Sequence, residues 1–118
     1  GEPLNGQLTG LGGELAGPVR TASSYRLFAL LTEPPRPGLV RVGSGGASIE
    51  GERWRLPVEG FGAFVAAVPS PLTIGTLDLD DGTTCLGFLC ESVAVDGCPD
   101  ITSYGGWRSY IAPRVPDR

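Results

Sequence analysis

The chain has 118 residues, 41% of them apolar, with 19 glycines and 11 prolines, which fits one loop-rich globular domain over residues 1–118. Its 13 acidic and nine basic residues give a net charge of −4, all nine bases are arginine, and neither lysine nor histidine occurs. This composition excludes Ser-His-Asp catalysis, histidine-ligated zinc and lysine Schiff bases, and an acidic chain with scattered arginines argues against nucleic-acid binding.

Five segments have the apolar alternation or the strand-forming composition that predicts β-strands. They cover residues 25–32, 37–42, 48–56, 73–79 and 84–91, and a further strand end is expected at Pro18-Val19, just before Arg20. The Asp80-Asp81-Gly82 turn between the last two strands predicts a hairpin. The aspartates resemble a calcium-binding loop only superficially, because no later glutamate completes the set of ligands.

Two segments are predicted to be helical. Residues 57–68 place Phe61, Phe64, Val65 and Val68 on one face, and Pro57 suits a first helical position. Residues 101–112 form the second predicted helix, which the Gly105-Gly106 pair weakens. The predicted fold class is therefore α+β, a small and mostly antiparallel β-barrel with one or two flanking helices.

The apolar runs and the cysteines predict no membrane segment and no metal site. The longest apolar run, residues 61–68, is too short to cross a bilayer, and no signal-peptide pattern opens the chain, so we expect a cytoplasmic protein without membrane contact. Cys85, Cys90 and Cys98 match no common ligand spacing and are expected to pack as reduced thiols. We expect neither a metal nor another cofactor.

Several longer motifs resemble one family in order and spacing over nearly the whole chain. They are PLNGQLT at residues 3–9, RTA..YRLFAL at 20–30, PGLVRV at 37–42, FGAFVAAVPSPLTIG at 61–75, GFLCE at 87–91 and DITSYGGWRSY at 100–110. Together they resemble the C-terminal domain of allophanate hydrolase. The resemblance implies a fold related to gamma-glutamyl cyclotransferase. It also implies a role in urea and allophanate breakdown: an amidase domain or subunit first removes ammonia from allophanate. The C-terminal domain then processes the product, the small dianion N-carboxycarbamate, to carbon dioxide and ammonia.

The chain departs from the family pattern in two places. Only Gly1-Glu2 precede the PLNGQLT motif, where the family usually has a strand and a histidine-containing turn. Residues 68–71 contain no acid where cyclotransferases carry a general-base glutamate, which argues against glutamyl cyclotransfer. The chain also lacks an amidase signature, so the resemblance implies a partner amidase. Whether two copies of the chain form a homodimer is left open by the sequence.

A dianionic substrate requires cationic and neutral hydrogen-bond donors around it. The candidate substrate-binding residues are Asn5, Gly6, Gln7, Arg20 and Thr21. Tyr25 and Tyr104 are the candidate catalytic residues, expected to assist proton transfer, although both rings are more typical of core packing. Glu50 and Glu91 are the remaining candidate bases, in positions more typical of solvated strand edges. The alternative to an enzyme is a non-catalytic docking or dimerisation module that associates with an amidase.

Overall fold

The computed structural model of the chain describes residues 12–112. Six strands and two α-helices follow one another in this part of the chain. They are β1 (Glu14–Arg20), β2 (Tyr25–Leu30), β3 (Arg36–Arg41), β4 (Glu50–Arg55), α1 (Val58–Ala66), β5 (Leu72–Asp78), β6 (Thr84–Cys90) and α2 (Trp107–Ile111), with 3₁₀ turns at Ser92–Val95 and Thr102–Tyr104.

The strands pair as three antiparallel ladders of two strands each: β1 with β4, β2 with β3, and β5 with β6. Single bridges join the ladders to one another and to the C-terminal segment, between Thr21 and Leu79, Phe28 and Asp100, and Glu50 and Gly106. The predicted class, a small and mostly antiparallel α+β fold with flanking helices, is confirmed. Closure of the ladders into a barrel stays a prediction.

Strand β2 lies at the centre of the core, because its alternate residues point away from solvent. Tyr25 is 0% exposed, and Leu27 and Ala29 are each 3% exposed, and the three pack with Ile49 and Ile101. Burial of a side chain such as Leu27 stabilises the fold by roughly 1.5–3 kcal/mol. The cluster therefore fixes the strand that follows residues 20–22, where the candidate site lies.

Five predicted strands are confirmed, with ends that shift by at most two residues. Strand β1 was predicted only at its end, because Gly17 and Pro18 interrupt any apolar alternation within it. The helix predicted over 57–68 is confirmed as α1, which begins directly after Pro57. Within residues 12–112, no helix combines the length and the apolar character needed to cross a membrane.

The single helix predicted over 101–112 is wrong. A 3₁₀ turn at Thr102–Tyr104 ends at Gly105, whose φ of 83° is left-handed, and α2 begins only at Trp107. Glycine adopts this conformation without a Cβ clash, and a left-handed residue ends a helix. The glycine pair therefore separates two short helical pieces and lets Gly106 pair with Glu50.

Candidate functional site

A polar cleft of about 510 Å³ lies between the β1–β4 ladder and the hairpin turn that follows β5. Its lining residues come from three short segments: Ala16, Gly17, Pro18, Val19 and Arg20 of β1, Glu50 and Arg53 of β4, and Leu79, Asp80 and Asp81. Two arginines and three carboxylates therefore surround one space, which makes it the charged cavity nearest to the predicted site.

Hydrogen bonds fix the backbone at Thr21, which directly follows the cleft-lining Arg20, lies outside the lining and is 7% exposed. The Thr21 hydroxyl donates to the Ala22 carbonyl at 2.8 Å and accepts the Ile49 N–H at 2.9 Å. The Thr21 N–H donates to the Ile49 carbonyl at 2.9 Å. Thr21 thus holds the end of β1 to the segment that leads into β4, and its hydroxyl donates one hydrogen bond and accepts another in doing so.

Arg20, the residue before Thr21, pairs with Glu50 on the neighbouring strand β4. The guanidinium Nη1 is 3.8 Å from Glu50 Oε2, and the two side chains are 49% and 53% exposed. The Arg20 carbonyl accepts the Asp80 N–H at 3.0 Å, which ties the strand to the hairpin turn. The backbone at Arg20 is therefore fixed, while the guanidinium remains accessible to a ligand from solvent.

The hairpin turn places a second carboxylate group close to the cleft. Asp81 Oδ1 accepts the Thr83 hydroxyl at 2.6 Å and the Thr83 N–H at 3.0 Å. These two hydrogen bonds lower the pKa of Asp81, and the positive charge of Arg53 lowers it further. The predicted hairpin at residues 80–82 is confirmed, with Gly82 in the left-handed conformation at a φ of 87°.

Tyr25 is fully buried and lies outside the residues that line the cleft, with its hydroxyl at the junction of three strands. The hydroxyl accepts Arg41 Nη2 and the Asp78 N–H, each at 2.9 Å. Arg41 also donates to the Thr76 carbonyl at 2.6 Å and lies 3.7 Å from the Asp78 carboxylate. The hydrogen bond to Tyr25 is the main cause of the raised pKa of Arg41. Tyr25 is thus a buried hydrogen-bond acceptor that holds β2, β3 and β5 together.

Tyr104 lies on the other side of β4, at the end of a 3₁₀ turn. Its side chain is 42% exposed, and its ring packs edge-to-face on Tyr110 with centroids 5.0 Å apart. The next residue, Gly105, accepts the Glu50 N–H at 2.7 Å. This contact brings the turn to the strand that carries Glu50, but Tyr104 is not among the residues that line the cleft.

Of the predicted site residues within 12–112, the structure therefore places Arg20 in the lining of the cleft and Thr21, Tyr25 and Tyr104 outside it. Asn5, Gly6 and Gln7 lie outside the described residues. Arg41 and Arg53 were not among the site residues predicted from the sequence. Arg41 is 16 residues from Tyr25, so only the register of β2 against β3 brings them together. The interrupted alternation at Gly17, opposite Arg53, was the available signal for a bulge.

Comparison with known proteins defines the class of domain. The structure superposes on a uropathogenic E. coli-specific protein with a TM-score of 0.85 and 36% identity, covering 93% of this chain and 85% of that one. It superposes equally well on part of a larger enzyme: the TM-score to Kluyveromyces lactis allophanate hydrolase is 0.88, at 37% identity, covering 94% of this chain and 19% of that one. The fold is thus that of a small α+β domain that also occurs inside larger hydrolases.

Sequence comparison identifies the family. The allophanate hydrolase C-terminal domain family matches residues 1–112, and the chain belongs to it. Urea amidolyase of Saccharomyces cerevisiae is 42% identical over an alignment of 116 residues that covers 94% of this chain and 6% of that protein. Urea amidolyase of Lachancea kluyveri is 40% identical over 116 residues, with the same coverage. The chain thus spans about one-sixteenth of the length of these relatives, and the predicted family is confirmed.

Proposed function

We propose that this domain converts N-carboxycarbamate, the product of an amidase acting on allophanate, to carbon dioxide and ammonia. The observation that carries the proposal is Arg20, which lines the cleft and has a half-exposed side chain. A guanidinium binds a carboxylate through two parallel N–H donors, which fixes the orientation of the carboxylate as well as its position. Family membership supports the choice of substrate, which composition alone does not indicate.

The proposed reaction needs little beyond orientation and two protons. In the first step a C–N bond of ⁻O₂C–NH–CO₂⁻ breaks, its electron pair stays on nitrogen, and nitrogen takes a proton, which gives carbon dioxide and carbamate. In the second step the remaining C–N bond of carbamate breaks in the same way, nitrogen takes another proton, and carbon dioxide and ammonia leave. A site that holds the carboxylate and delivers a proton to nitrogen accelerates both steps.

The residues take different roles in this proposal. Arg20 binds a carboxylate, and the amide groups of Asn5 and Gln7, with the backbone at Gly6, supply neutral donors. Thr21 fixes the backbone next to Arg20. Tyr25 is 0% exposed, so we assign it a positioning role: through Arg41 and Asp78 it sets where β5 and the following hairpin turn lie. Tyr104 is the candidate proton donor proposed from the sequence; its side chain is 42% exposed, and it lies outside the residues that line the cleft.

The test is a rapid-mixing assay with an isolated amidase domain that consumes allophanate. The amidase step releases the first ammonia at once, whereas the second ammonia and the carbon dioxide appear only when N-carboxycarbamate breaks down. If the proposal is correct, adding the chain shortens the lag before the second ammonia and leaves allophanate consumption unchanged. An unchanged lag contradicts the proposal.

Two arginine variants separate the cleft from a general charge effect. Arg20→Ala removes the proposed carboxylate contact and should abolish the acceleration. Arg36→Ala removes an exposed arginine at the start of β3, outside the residues that line the cleft, and should leave the acceleration intact. Equal loss in both variants would contradict the assignment of Arg20.

A second candidate function is docking onto an amidase domain without catalysis. It is favoured by large apolar side chains that are exposed on the described surface, of which Val58 at the start of α1 is 89% exposed and Leu31 is 75% exposed. In the relatives this domain occupies a small part of a long chain, which supports association with an amidase domain. The docking function predicts binding to the amidase together with an unchanged lag.

A further inference from the structure

Arg53 lines the same cleft as Arg20 and gives it a second cation. We propose that the cleft binds a small dicarboxylate at two points: one carboxylate displaces Glu50 from Arg20, and Arg53 binds the other. This inference rests on the proposed function of the same cleft and adds to it two residues, Arg53 and Glu50, with opposite effects on affinity.

Arg53 lies opposite an irregularity in β1, lines the cleft, and carries a charge that acts on Asp81, which lines the same cleft. Residues 50 and 53 are separated by an odd number of positions, so regular alternation would place their side chains on opposite faces of β4. The pairing with β4 shifts between Leu15 and Gly17, and Gly17 is the partner of Arg53. A bulge redirects the side chains around it, and a Cβ added at Gly17 would meet no atom within 4 Å. Gly17, at a φ of 130°, therefore leaves space beside Arg53 for a ligand.

Glu50 is a weak internal competitor for Arg20. The 3.8 Å separation of the pair is longer than a hydrogen bond, and about half of each side chain is exposed. Exposed pairs of this kind contribute little to stability, so an incoming carboxylate replaces Glu50 at low cost. By contrast, Glu52 on the same strand lies 2.9 Å from Arg108 and outside the residues that line the cleft. Glu52 therefore serves as the matched control for Glu50.

The charges that line the cleft predict how each variant changes affinity. The lining carries the positive charges of Arg20 and Arg53 and the negative charges of Glu50, Asp80 and Asp81. Asp81 already accepts two hydrogen bonds from Thr83 within the turn. Removing the Glu50 charge therefore removes both the competitor at Arg20 and one repulsion of a dianion, whereas removing Arg53 deletes one of two attractive contacts.

Malonate is the probe for this proposal, because it has the two carboxylates of N-carboxycarbamate with a stable CH₂ group in place of NH. Titration of the labelled chain, followed by amide chemical shifts, measures malonate against acetate, which has one carboxylate. We expect Arg53→Ala to weaken malonate binding about tenfold and to leave acetate binding unchanged. Arg55→Ala, on the same strand but outside the cleft, should change neither. Arg53→Lys keeps the charge and should restore part of the affinity.

The Glu50 variant is expected to act in the opposite direction. Glu50→Gln should tighten malonate binding about two- to fivefold, and Glu52→Gln should have no effect. The inference is overturned if malonate does not bind the unchanged chain, if Arg53→Ala binds it as tightly as the unchanged chain, or if Glu50→Gln weakens it. These outcomes concern the cleft alone, because the lag assay tests the proposed function independently.

Discussion

Replacing Tyr25 with Phe removes one oxygen atom at a point where two donors converge. The ring and its packing in the core remain, but Arg41 and the Asp78 N–H each lose an acceptor at 2.9 Å. A buried donor without an acceptor costs about 1–3 kcal/mol. The Arg41 side chain is 47% exposed and reaches water, so its share is the smaller of the two. We therefore expect the free energy of unfolding to fall by about 1–3 kcal/mol, most of it from the backbone N–H.

Urea unfolding measures this change directly. With a slope of about 1–3 kcal/mol per molar urea, the midpoint should fall by roughly 1 M, and the slope itself should stay the same. The matched control is Tyr110→Phe, the same change in a ring that packs against the same core. Its hydroxyl meets no comparable pair of donors within residues 12–112, so we expect a change within about 0.5 kcal/mol.

A double-mutant cycle with Arg41→Gln measures the part of the lost stability that comes from the hydrogen bond between Arg41 and Tyr25. The two changes should couple, because both remove the same hydrogen bond. The reasoning is refuted if Tyr25→Phe changes the free energy of unfolding by less than the Tyr110 control. It is also refuted if the effects of Tyr25→Phe and Arg41→Gln are fully additive.

Three further outcomes are expected. Burial raises the pKa of Asp100, but hydrogen bonds from Arg26 and Thr102 outweigh it and lower the pKa overall. The ionised Asp100 therefore stabilises the fold above the unfolded pKa, and this stabilisation disappears as pH falls through the folded pKa. Asp100→Asn should therefore flatten the fall in stability in urea titrations below about pH 4, and an unchanged profile would contradict this origin. Burial, with the nearby thiol and carboxylate charges, raises the pKa of Cys90, so iodoacetamide should label Cys90 more slowly than the half-buried Cys85 and Cys98. Mass spectrometry that shows the reverse order of labelling would be inconsistent with this burial. Gly62→Ala on the exposed face of α1 meets no atom within 4 Å and should stabilise the chain by about 0.5–1 kcal/mol, whereas a lower melting temperature would show a clash.

Local patterns predicted most of the strands, because alternation and turn residues determine strand pairing between neighbours in sequence. Strand β1 was predicted only at its end, since Gly17 and Pro18 break the alternation and most of the strand is exposed. The helix predicted over 101–112 was wrong because a glycine pair with one left-handed residue divides it. In both places a glycine adopts a conformation that side-chain periodicity does not encode.

The candidate site was predictable in part for the same reason. Arg20 and Thr21 stand at a strand end, which the flanking residues indicated. Arg53 lies in β4 opposite the bulge of β1, and Arg41 reaches Tyr25 only through the register of β2 and β3. These placements depend on tertiary pairing, so residue type and spacing alone gave no reason to select either arginine.

The lag before the second ammonia, in amidase turnover of allophanate, tests the central claim most directly. The proposed function predicts that the lag shortens in proportion to the amount of the chain added and that Arg20→Ala returns it to the uncatalysed value. A lag that stays constant over the same range, with allophanate consumption unchanged, would contradict catalysis by this domain.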